Sequence, residues 1–227
     1  MLFDTIIHFK NVGSTMDTAR LIMPLLSLPF IVISEKQTNG YGQKQRKWFS
    51  PEGGLWFTEA IDVPLTEPVS LFMGIVLINT IRKYAKTAML KWPNDIYIDN
   101  KKVAGILTQI SKNRAIIGIG INVENEPPKE LANQSTSLKR YVSVKKEDLL
   151  NEILQEQEKH WERFINQGFS GFVETYNDYL IFKNKKITIK SKKLITGVAI
   201  GVNKKGYLLI ENSGKIKKIF SGTIIEF

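Results

Sequence analysis

The chain has 227 residues, of which 43% are hydrophobic and 24% charged, a composition typical of a soluble globular protein. This length allows one sizeable domain with its own core and a small second module. The absence of cysteine excludes disulfides, thiolate zinc sites and cysteine nucleophiles, and two histidines are too few for a metal cluster. No apolar run approaches the roughly 20 residues of a membrane span, and there is no signal-peptide pattern. We therefore expect a cytoplasmic protein without a membrane partner.

The net charge of +10 is concentrated near the C-terminus. Residues 181–227 contain 11 lysines against two acidic residues, a local net charge of +9, whereas residues 1–180 are almost balanced. A basic segment of this kind favours nucleic acid, ATP phosphates or an acidic protein surface as a partner. A solvated lysine face explains the composition equally well, so the charge alone leaves these alternatives open.

In chain order, the first 123 residues predict strands and two helices. Ser14 lies three residues before Asp17, the spacing of an N-capping box, which predicts a helix that begins near Thr15. Pro24 is expected to end or kink this helix. A second helix is predicted over Val69–Tyr84. Predicted strands cover Thr5–Phe9, Phe30–Glu35, Leu55–Ile61, Met89–Trp92, Asp95–Ile98, Lys102–Ser111 and Arg114–Val123.

The rest of the chain predicts two helices, after which the spacing of apolar residues changes from that of helices to that of short strands. The helices cover Lys145–Asn166 and Phe169–Tyr179. Five short strands in the last 45 residues are typical of a small SH3-like barrel. These strands are Lys186–Ser191, Leu194–Val202, Gly206–Glu211, Lys215–Phe220 and Thr223–Phe227. We thus predict an α+β fold, with a mixed β-sheet and helices in residues 1–182 and an SH3-like β-barrel in residues 183–227.

Common phosphate-loop, dinucleotide, serine-hydrolase and zinc-protease motifs are absent, but the loop Gly40–Trp48 (GYGQKQRKW) carries suitable chemistry. Its two glycines let consecutive N–H groups face an anion. Lys44, Arg46 and Lys47 add positive charge, and the Trp48 ring offers a stacking surface. The loop could fold over a nucleotide, although a solvated basic loop is an equally good interpretation.

Two further segments are candidates for a binding site. In Lys91–Asp95 (KWPND), a lysine at the end of a buried strand precedes a rigid turn, so its ammonium group is either fixed at the sheet rim for function or merely covers the turn. Glycines within predicted strands, at positions 105, 118 and 120, indicate close approach to the backbone. Either an apolar ligand or tight helix packing could make that approach. Asn122 could bind a polar edge of the ligand.

Together these segments resemble the biotin–protein ligases, in which they occur in the same order. The resemblance covers essentially the whole chain, and KWPND is its most specific part. It is carried by Ser14-Thr15, Gln37, Gly40–Trp48, Lys91–Asp95, Val103–Leu107, Gly118–Val123, Ser135–Leu138 and the glycine pattern from Gly197 to Tyr207. It implies an enzyme that makes biotinyl-5′-adenylate from biotin and ATP with Mg²⁺. Biotin then passes to a lysine of a biotin carboxyl carrier protein, such as that of acetyl-CoA carboxylase or a related carboxylase.

The resemblance also implies roles for individual residues. Lys91, in KWPND, is the predicted catalytic cation between the biotin carboxylate and the α-phosphate. No resident metal is implied beyond the Mg²⁺ that accompanies ATP. The implied nucleotide-binding residues are Arg46, Lys47, Trp48, Asn94 and Asn122. The implied biotin-binding residues are Ser14, Thr15, Met16, Gln37, Gly40, Tyr41, Gly42, Gln43, Lys91, Gly105, Gly118 and Gly120.

The loop departs from the common family form, Gly-Arg-Gly-Arg-Arg-Gly-Arg-Lys-Trp. Tyr41 and Gln43 stand where the first two arginines are usual. The arginine at the Gln43 position helps to retain the adenylate in that family, and glutamine cannot replace its charge. We therefore hypothesise that this chain releases the intermediate more readily than relatives with arginine there.

The expected partners are biotin, ATP and the carrier protein. No DNA-binding domain fits before Ser14, so the resemblance implies a ligase that does not bind DNA. A homodimer, formed through a sheet edge, is an alternative to a monomer. Lipoate or octanoate transfer by a related fold is a rival function. A basic nucleic-acid-binding module is a weaker rival, since Tyr207 and Phe220 are the only aromatic residues of the basic barrel able to stack on bases.

Overall fold

The computed structural model describes residues 2–64, 68–191 and 193–226. Within these ranges the chain forms a seven-stranded mixed sheet, a five-stranded antiparallel sheet and four α-helices. The helices are α1 (Thr15–Ile22), α2 (Val69–Tyr84), α3 (Lys146–Gln167) and α4 (Val173–Asp178). The strands are β1 (Thr5–Val12), β2 (Phe30–Gln37), β3 (Leu55–Asp62), β4 (Met89–Lys91), β5 (Asp95–Ile98), β6 (Lys101–Ser111), β7 (Arg114–Ile121), β8 (Lys186–Lys190), β9 (Leu194–Val202), β10 (Leu208–Asn212), β11 (Lys215–Ile219) and β12 (Thr223–Glu226).

The large sheet has the strand order β1-β2-β3-β7-β6-β5-β4, in which only the described β1–β2 pair is parallel. Alternate residues of each strand face opposite sides. One side packs on α2 and α3 and forms the main hydrophobic core, with residues such as Phe57 and Ile117. The other side carries α1 over a smaller cluster that includes Met16, Ala19 and Phe30. The part of this second side that α1 leaves uncovered can form a site.

Capping residues, proline and glycine explain where the helices α1 and α3 begin and end. At α1, the Ser14 hydroxyl accepts a hydrogen bond from the Asp17 amide, as the capping pattern predicts. This helix ends at Ile22, and Pro24 lies in the 3₁₀ turn that follows. At α3, two acidic residues in the first turn complement the helix dipole, and Gly168 ends the helix with φ +63°.

The C-terminal sheet has the order β11-β10-β9-β8-β12 and follows the predicted SH3-like pattern of five short strands. No ladder joins β11 to β12 in the part of the chain that is described, so the sheet is an open one there. The Trp92 indole donates to the Gly206 carbonyl over 2.9 Å. The Asn177 side chain bonds both backbone groups of Val202. The sheet is thereby fastened to the turn after β4 and to α4.

Most predicted elements are observed, and the differences lie at their ends. The predicted helix Phe169–Tyr179 is shorter, because residues 168–172 form a 3₁₀ turn before α4. The predicted strand at Gly206 begins at Leu208, since Gly206 belongs to a turn at φ +76°. Phe227, at the end of the last predicted strand, lies outside the described residues. None of the helices that can be described is long and apolar enough to cross a membrane.

Candidate active site

The second side of the large sheet carries a cavity of about 350 Å³. Its walls come from the start of α1, the loop 40–48, the residues after β4, strands β6 and β7, and the segment 131–135. The structure therefore brings together residues that are far apart in sequence. Of the residues predicted for the site, those that line the cavity are Ser14, Thr15, Met16, Gln37, Tyr41, Gly42, Gln43, Arg46, Lys47, Trp48, Asn94, Gly105, Gly118 and Gly120.

One wall is polar and its groups are held in fixed orientations. The Thr15 amide and hydroxyl both donate to Gln37 Oε1, over 2.8 and 3.1 Å. The buried Thr58 hydroxyl donates to the Thr15 hydroxyl over 2.8 Å, and Gln37 Nε2 donates to the Ser50 hydroxyl over 2.8 Å. Since each side chain is oriented by its neighbour, this wall is preorganised to hydrogen-bond a small polar group.

The floor consists of strand glycines that allow close contact. A Cβ atom added at Gly118 would lie 2.6 Å from Met16 Sδ, and one at Gly120 would lie 2.5 Å from Trp48 Nε1. Both separations are shorter than real carbon contacts, so any larger residue would push these side chains away from the sheet. The close approach that the strand glycines predict is therefore made here by Met16 and Trp48.

The loop 40–48 folds back on itself as a narrow hairpin. The Trp48 amide donates to the Gly40 carbonyl over 2.9 Å, and the Gly42 amide donates to the Arg46 carbonyl over 2.8 Å. At its tip, Lys44 and Gln45 adopt positive φ angles of 57° and 59°. The Gln45 position is one where the related ligases have glycine, so this chain holds a conformation that glycine adopts at lower cost.

A lysine that the motif analysis did not select points into the cavity. Lys102 lines it, and its Nζ lies 2.6 Å from Asp95 Oδ1 and 4.9 Å from the centroid of the Trp48 ring. A Cβ added at Gly105 would lie 3.1 Å from the same Nζ, so Lys102 lies over the glycine floor. The sequence pattern gives no signal for it, because strict alternation along β6 from Gly105 would direct Lys102 to the opposite face.

Lys91, the predicted catalytic cation, is not among the cavity-lining residues. Its Nζ donates to the Tyr97 hydroxyl over 3.3 Å and lies 4.7 Å from the centroid of that ring. Lys91 thus contacts a residue of the cavity wall without lining the cavity itself. Burial lowers the pKa of Lys91, an effect that Asp95 opposes and Lys102 reinforces.

Gly40 and Asn122 were also predicted for the site but support its walls instead. A Cβ at Gly40 would lie 2.6 Å from the Ser50 hydroxyl, so this position is closely packed. The buried Asn122 donates to the Thr136 carbonyl over 3.0 Å and accepts from Asn125 over 2.9 Å, which fixes the segment after β7. Lining residues outside the segments singled out in the sequence include Tyr97, Lys102, Leu131 and Gln134.

The electrostatics of the cavity favour an anionic ligand. Arg46, Lys47 and Lys102 line it, and Asp95 is the only carboxylate among the described lining residues. Within the described ranges there is no cluster of three histidine or acidic residues that could hold a metal ion. Polar wall, glycine floor and excess positive charge thus fit a small ligand with a polar ring and an anionic end.

These features define a protein with a cavity suited to an anionic small molecule on an open sheet face. The chain belongs to the biotin/lipoate A/B protein ligase family, whose model matches residues 9–124. It is similar to the bifunctional ligase/repressor BirA of Bacillus subtilis, with 33% identity over 211 residues that cover 86% of this chain and 65% of that protein. The corresponding Escherichia coli protein is 31% identical over 208 residues, covering 85% and 64%. The chain therefore spans slightly less than two thirds of these relatives.

Similarity to a solved structure extends over the whole fold. A biotin protein ligase from Aquifex aeolicus, in complex with biotin and ATP, superposes with a TM-score of 0.88 at 30% identity and covers 98% of both chains. The match includes both sheets, because nearly all of this chain is covered. Family membership and the predicted α+β fold class are thus confirmed.

Proposed function

We propose that the chain activates biotin with ATP to form biotinyl-5′-adenylate and transfers biotin to a lysine of a biotin carboxyl carrier protein. The similarity to ligases, and to a structure whose ligands are biotin and ATP, supports this function. The observation that carries it is one cavity in which the Thr15–Gln37 wall, the glycine floor and the Lys102 ammonium group meet.

In this proposal the polar wall binds the ureido ring of biotin. Ser14, Thr15 and Gln37 present hydroxyl and amide groups that are already oriented. A buried ureido group without such partners would cost about 1–3 kcal/mol. The valeryl chain then lies along the floor beside Met16 and Gly118, with its carboxylate directed toward Lys102.

The catalytic cation in this proposal is Lys102 and not Lys91. Attack of a carboxylate on an α-phosphate brings two anions together, so a cation must lie between them in the transition state. Lys102 lines the cavity and is oriented by Asp95 at 2.6 Å, whereas Lys91 bonds Tyr97 and does not line the cavity. We therefore favour Lys102 over Lys91 in this proposal on geometric grounds.

The nucleotide is proposed to occupy the basic end of the cavity. Trp48 offers a ring face, and Arg46 and Lys47 offer positive charge. Mg²⁺ enters as the complex with ATP, because phosphate oxygens supply most of its ligands and Asp95 is the only lining carboxylate in the described chain.

The test compares Lys102→Ala with Lys91→Ala as a matched pair. Biotin-dependent exchange of pyrophosphate into ATP measures activation, and labelled biotin or lipoate offered with a carrier domain measures transfer. We expect biotin but not lipoate incorporation, a loss of about 100-fold or more in exchange for Lys102→Ala, and retention of most exchange for Lys91→Ala. Incorporation of lipoate alone would contradict the proposed function. Equal exchange by Lys102→Ala and the unmodified chain would contradict the role of Lys102.

Several properties of the molecule remain part of the same proposal. They are a cytoplasmic location, a homodimer as the assembly, and a boundary near residue 182 between a catalytic domain and the C-terminal sheet. An acidic carrier surface is a suitable partner for the lysines of that sheet, since its local charge is +9. Lipoate transfer and nucleic-acid binding are not favoured by the relatives found.

A further inference from the structure

Tyr41 connects the cavity loop to helix α1 through two kinds of contact. Its hydroxyl donates to Asp17 Oδ1 over 2.9 Å. Its ring packs against the smaller apolar cluster, which includes Met16 and Ala19 of the same helix. Tyr41 is thus held at both ends, by packing along the ring and by a charge-assisted hydrogen bond at the hydroxyl.

The Asp17 carboxylate is itself held in place from two directions. Arg20, one turn further along α1, pairs with the same Oδ1 atom at 2.6 Å. Arg20 also donates to the side chain of Gln109 in β6. We call Tyr41, Asp17, Arg20 and Gln109 the Tyr41 latch. It joins the loop above the cavity to the helix that supplies its polar wall and to a strand of its floor.

The latch compensates for weak attachment elsewhere in the loop. Residues 43–47 are exposed, and a side-chain contact that joins this part to the rest of the molecule is the 3.4 Å bond from Arg46 to Thr223. Gln43 carries no charge that could grip a phosphate. A loop that is already folded before the ligand arrives loses less conformational entropy on binding, which lowers the rate of ligand release.

We propose that the Tyr41 hydroxyl, acting through Asp17, is a positioning contact that keeps the loop folded over the cavity and slows release of the adenylate. The proposal rests on the proposed function of that cavity. Gln43 supplies no cation beside the phosphate, whereas the Tyr41 phenol packs on α1 and donates to Asp17. Retention thus depends on a contact between the loop and α1 instead of on a cation beside the phosphate.

The experiment compares Tyr41→Phe, Asp17→Asn and the double variant with the unmodified chain. Tyr41→Phe keeps the ring and removes only the hydroxyl, and Tyr141→Phe, an exposed tyrosine that does not line the cavity, is the matched control. Two quantities are measured: the rate of limited trypsin cleavage after Lys44, Arg46 and Lys47 without ligand, and the dissociation rate of preformed biotinyl-adenylate.

We expect Tyr41→Phe to raise both rates about three- to tenfold, the effect of one hydrogen bond. The double variant should not exceed the larger single effect, because Asp17→Asn weakens the same hydrogen bond that Tyr41→Phe removes. Tyr141→Phe should leave both rates unchanged.

Unchanged rates in Tyr41→Phe would overturn the proposal, and so would faster cleavage with unchanged adenylate release. If the unmodified chain forms no adenylate, the proposed function fails. The ligand-free cleavage rates then still decide whether the latch holds the loop, so the two failures are distinguishable.

Discussion

Glu59 in β3 offers a direct test of how this core tolerates a carboxyl group. It is fully buried, and Gln157 Nε2 of α3 donates to its Oε2 over 2.9 Å. Glu59 Oε1 and Gln157 Oε1 have no partner among the described residues. Two unpaired oxygens beside each other's residues favour a proton on the carboxyl group, because protonated Glu59 has a donor to offer and no charge to bury. Burial raises the pKa of Glu59 to about 8, an effect that the Gln157 bond only partly offsets.

The effect of Glu59 on stability follows from the difference between its pKa in the folded chain and its pKa in the unfolded chain. Below the ordinary Glu pKa of 4.5, the carboxyl group is protonated in both the folded and the unfolded chain. Between pH 4.5 and about 8 only the unfolded chain ionises, so the free energy of unfolding falls as the pH rises. The slope is at most about 1.4 kcal/mol per pH unit, and the loss reaches roughly 3 kcal/mol at pH 7. Above pH 8 the contribution becomes constant.

Glu59→Gln should remove this loss, because an amide has a donor to offer without a titrating proton. We expect the gain of the variant over the unmodified chain to be about 3 kcal/mol larger at pH 7.5 than at pH 5. Urea unfolding followed by circular dichroism measures the free energy of unfolding at each pH. Glu162→Gln, at an exposed position of α3, is the control. A gap between variant and unmodified chain that is the same at both pH values would refute the reasoning.

Three further predictions concern the cavity. Gln43→Arg should slow dissociation of biotinyl-adenylate, since it restores a charge beside the phosphate, and equal dissociation rates would contradict this. Gln45→Gly should slow trypsin cleavage of the ligand-free loop, because glycine adopts the observed φ of 59° without the cost of roughly 1 kcal/mol; faster cleavage would show that the turn is not strained. Gly120→Ala should displace Trp48, whose Nε1 would lie 2.5 Å from the new Cβ, and raise the KM for ATP about tenfold or more with little change in melting temperature.

Local sequence signals predicted the elements well where one physical cause dominates. The spacing of Ser14 and Asp17 predicted the start of α1, and the length and periodicity of Val69–Tyr84 predicted α2 with its observed bounds. The glycines of β6 and β7 predicted close contact at the sheet, and such contact is observed at Gly118 and Gly120. What the strand glycines could not indicate was that side chains of the protein itself make the contact, since this depends on the path of the loop.

The contacts that shape the loop depend on tertiary structure and were not predictable from the chain alone. Tyr41 reaches Asp17 because the loop folds back over α1, and no short-range pattern indicates that path. Lys44 and Gln45 adopt positive φ although neither is glycine or asparagine, so turn preferences gave no signal for the hairpin tip. The polar wall likewise joins residues of α1, β2 and β3.

The choice between the two lysines depends on one irregularity of the sheet. Asp95 pairs with Gly105 and Ile96 with Ala104, but a β-bulge then pairs Tyr97 with Lys102 instead of Val103. Strict alternation from Gly105 would direct Val103 and Lys101 to the cavity side and Lys102 away from it. The bulge buries both Val103 and Ala104 in the main core and turns Lys102 toward the cavity, three residues from Gly105. Because a bulge leaves no clear mark in the sequence, KWPND drew attention to Lys91, while the register of β5 and β6 brings Lys102 to Asp95.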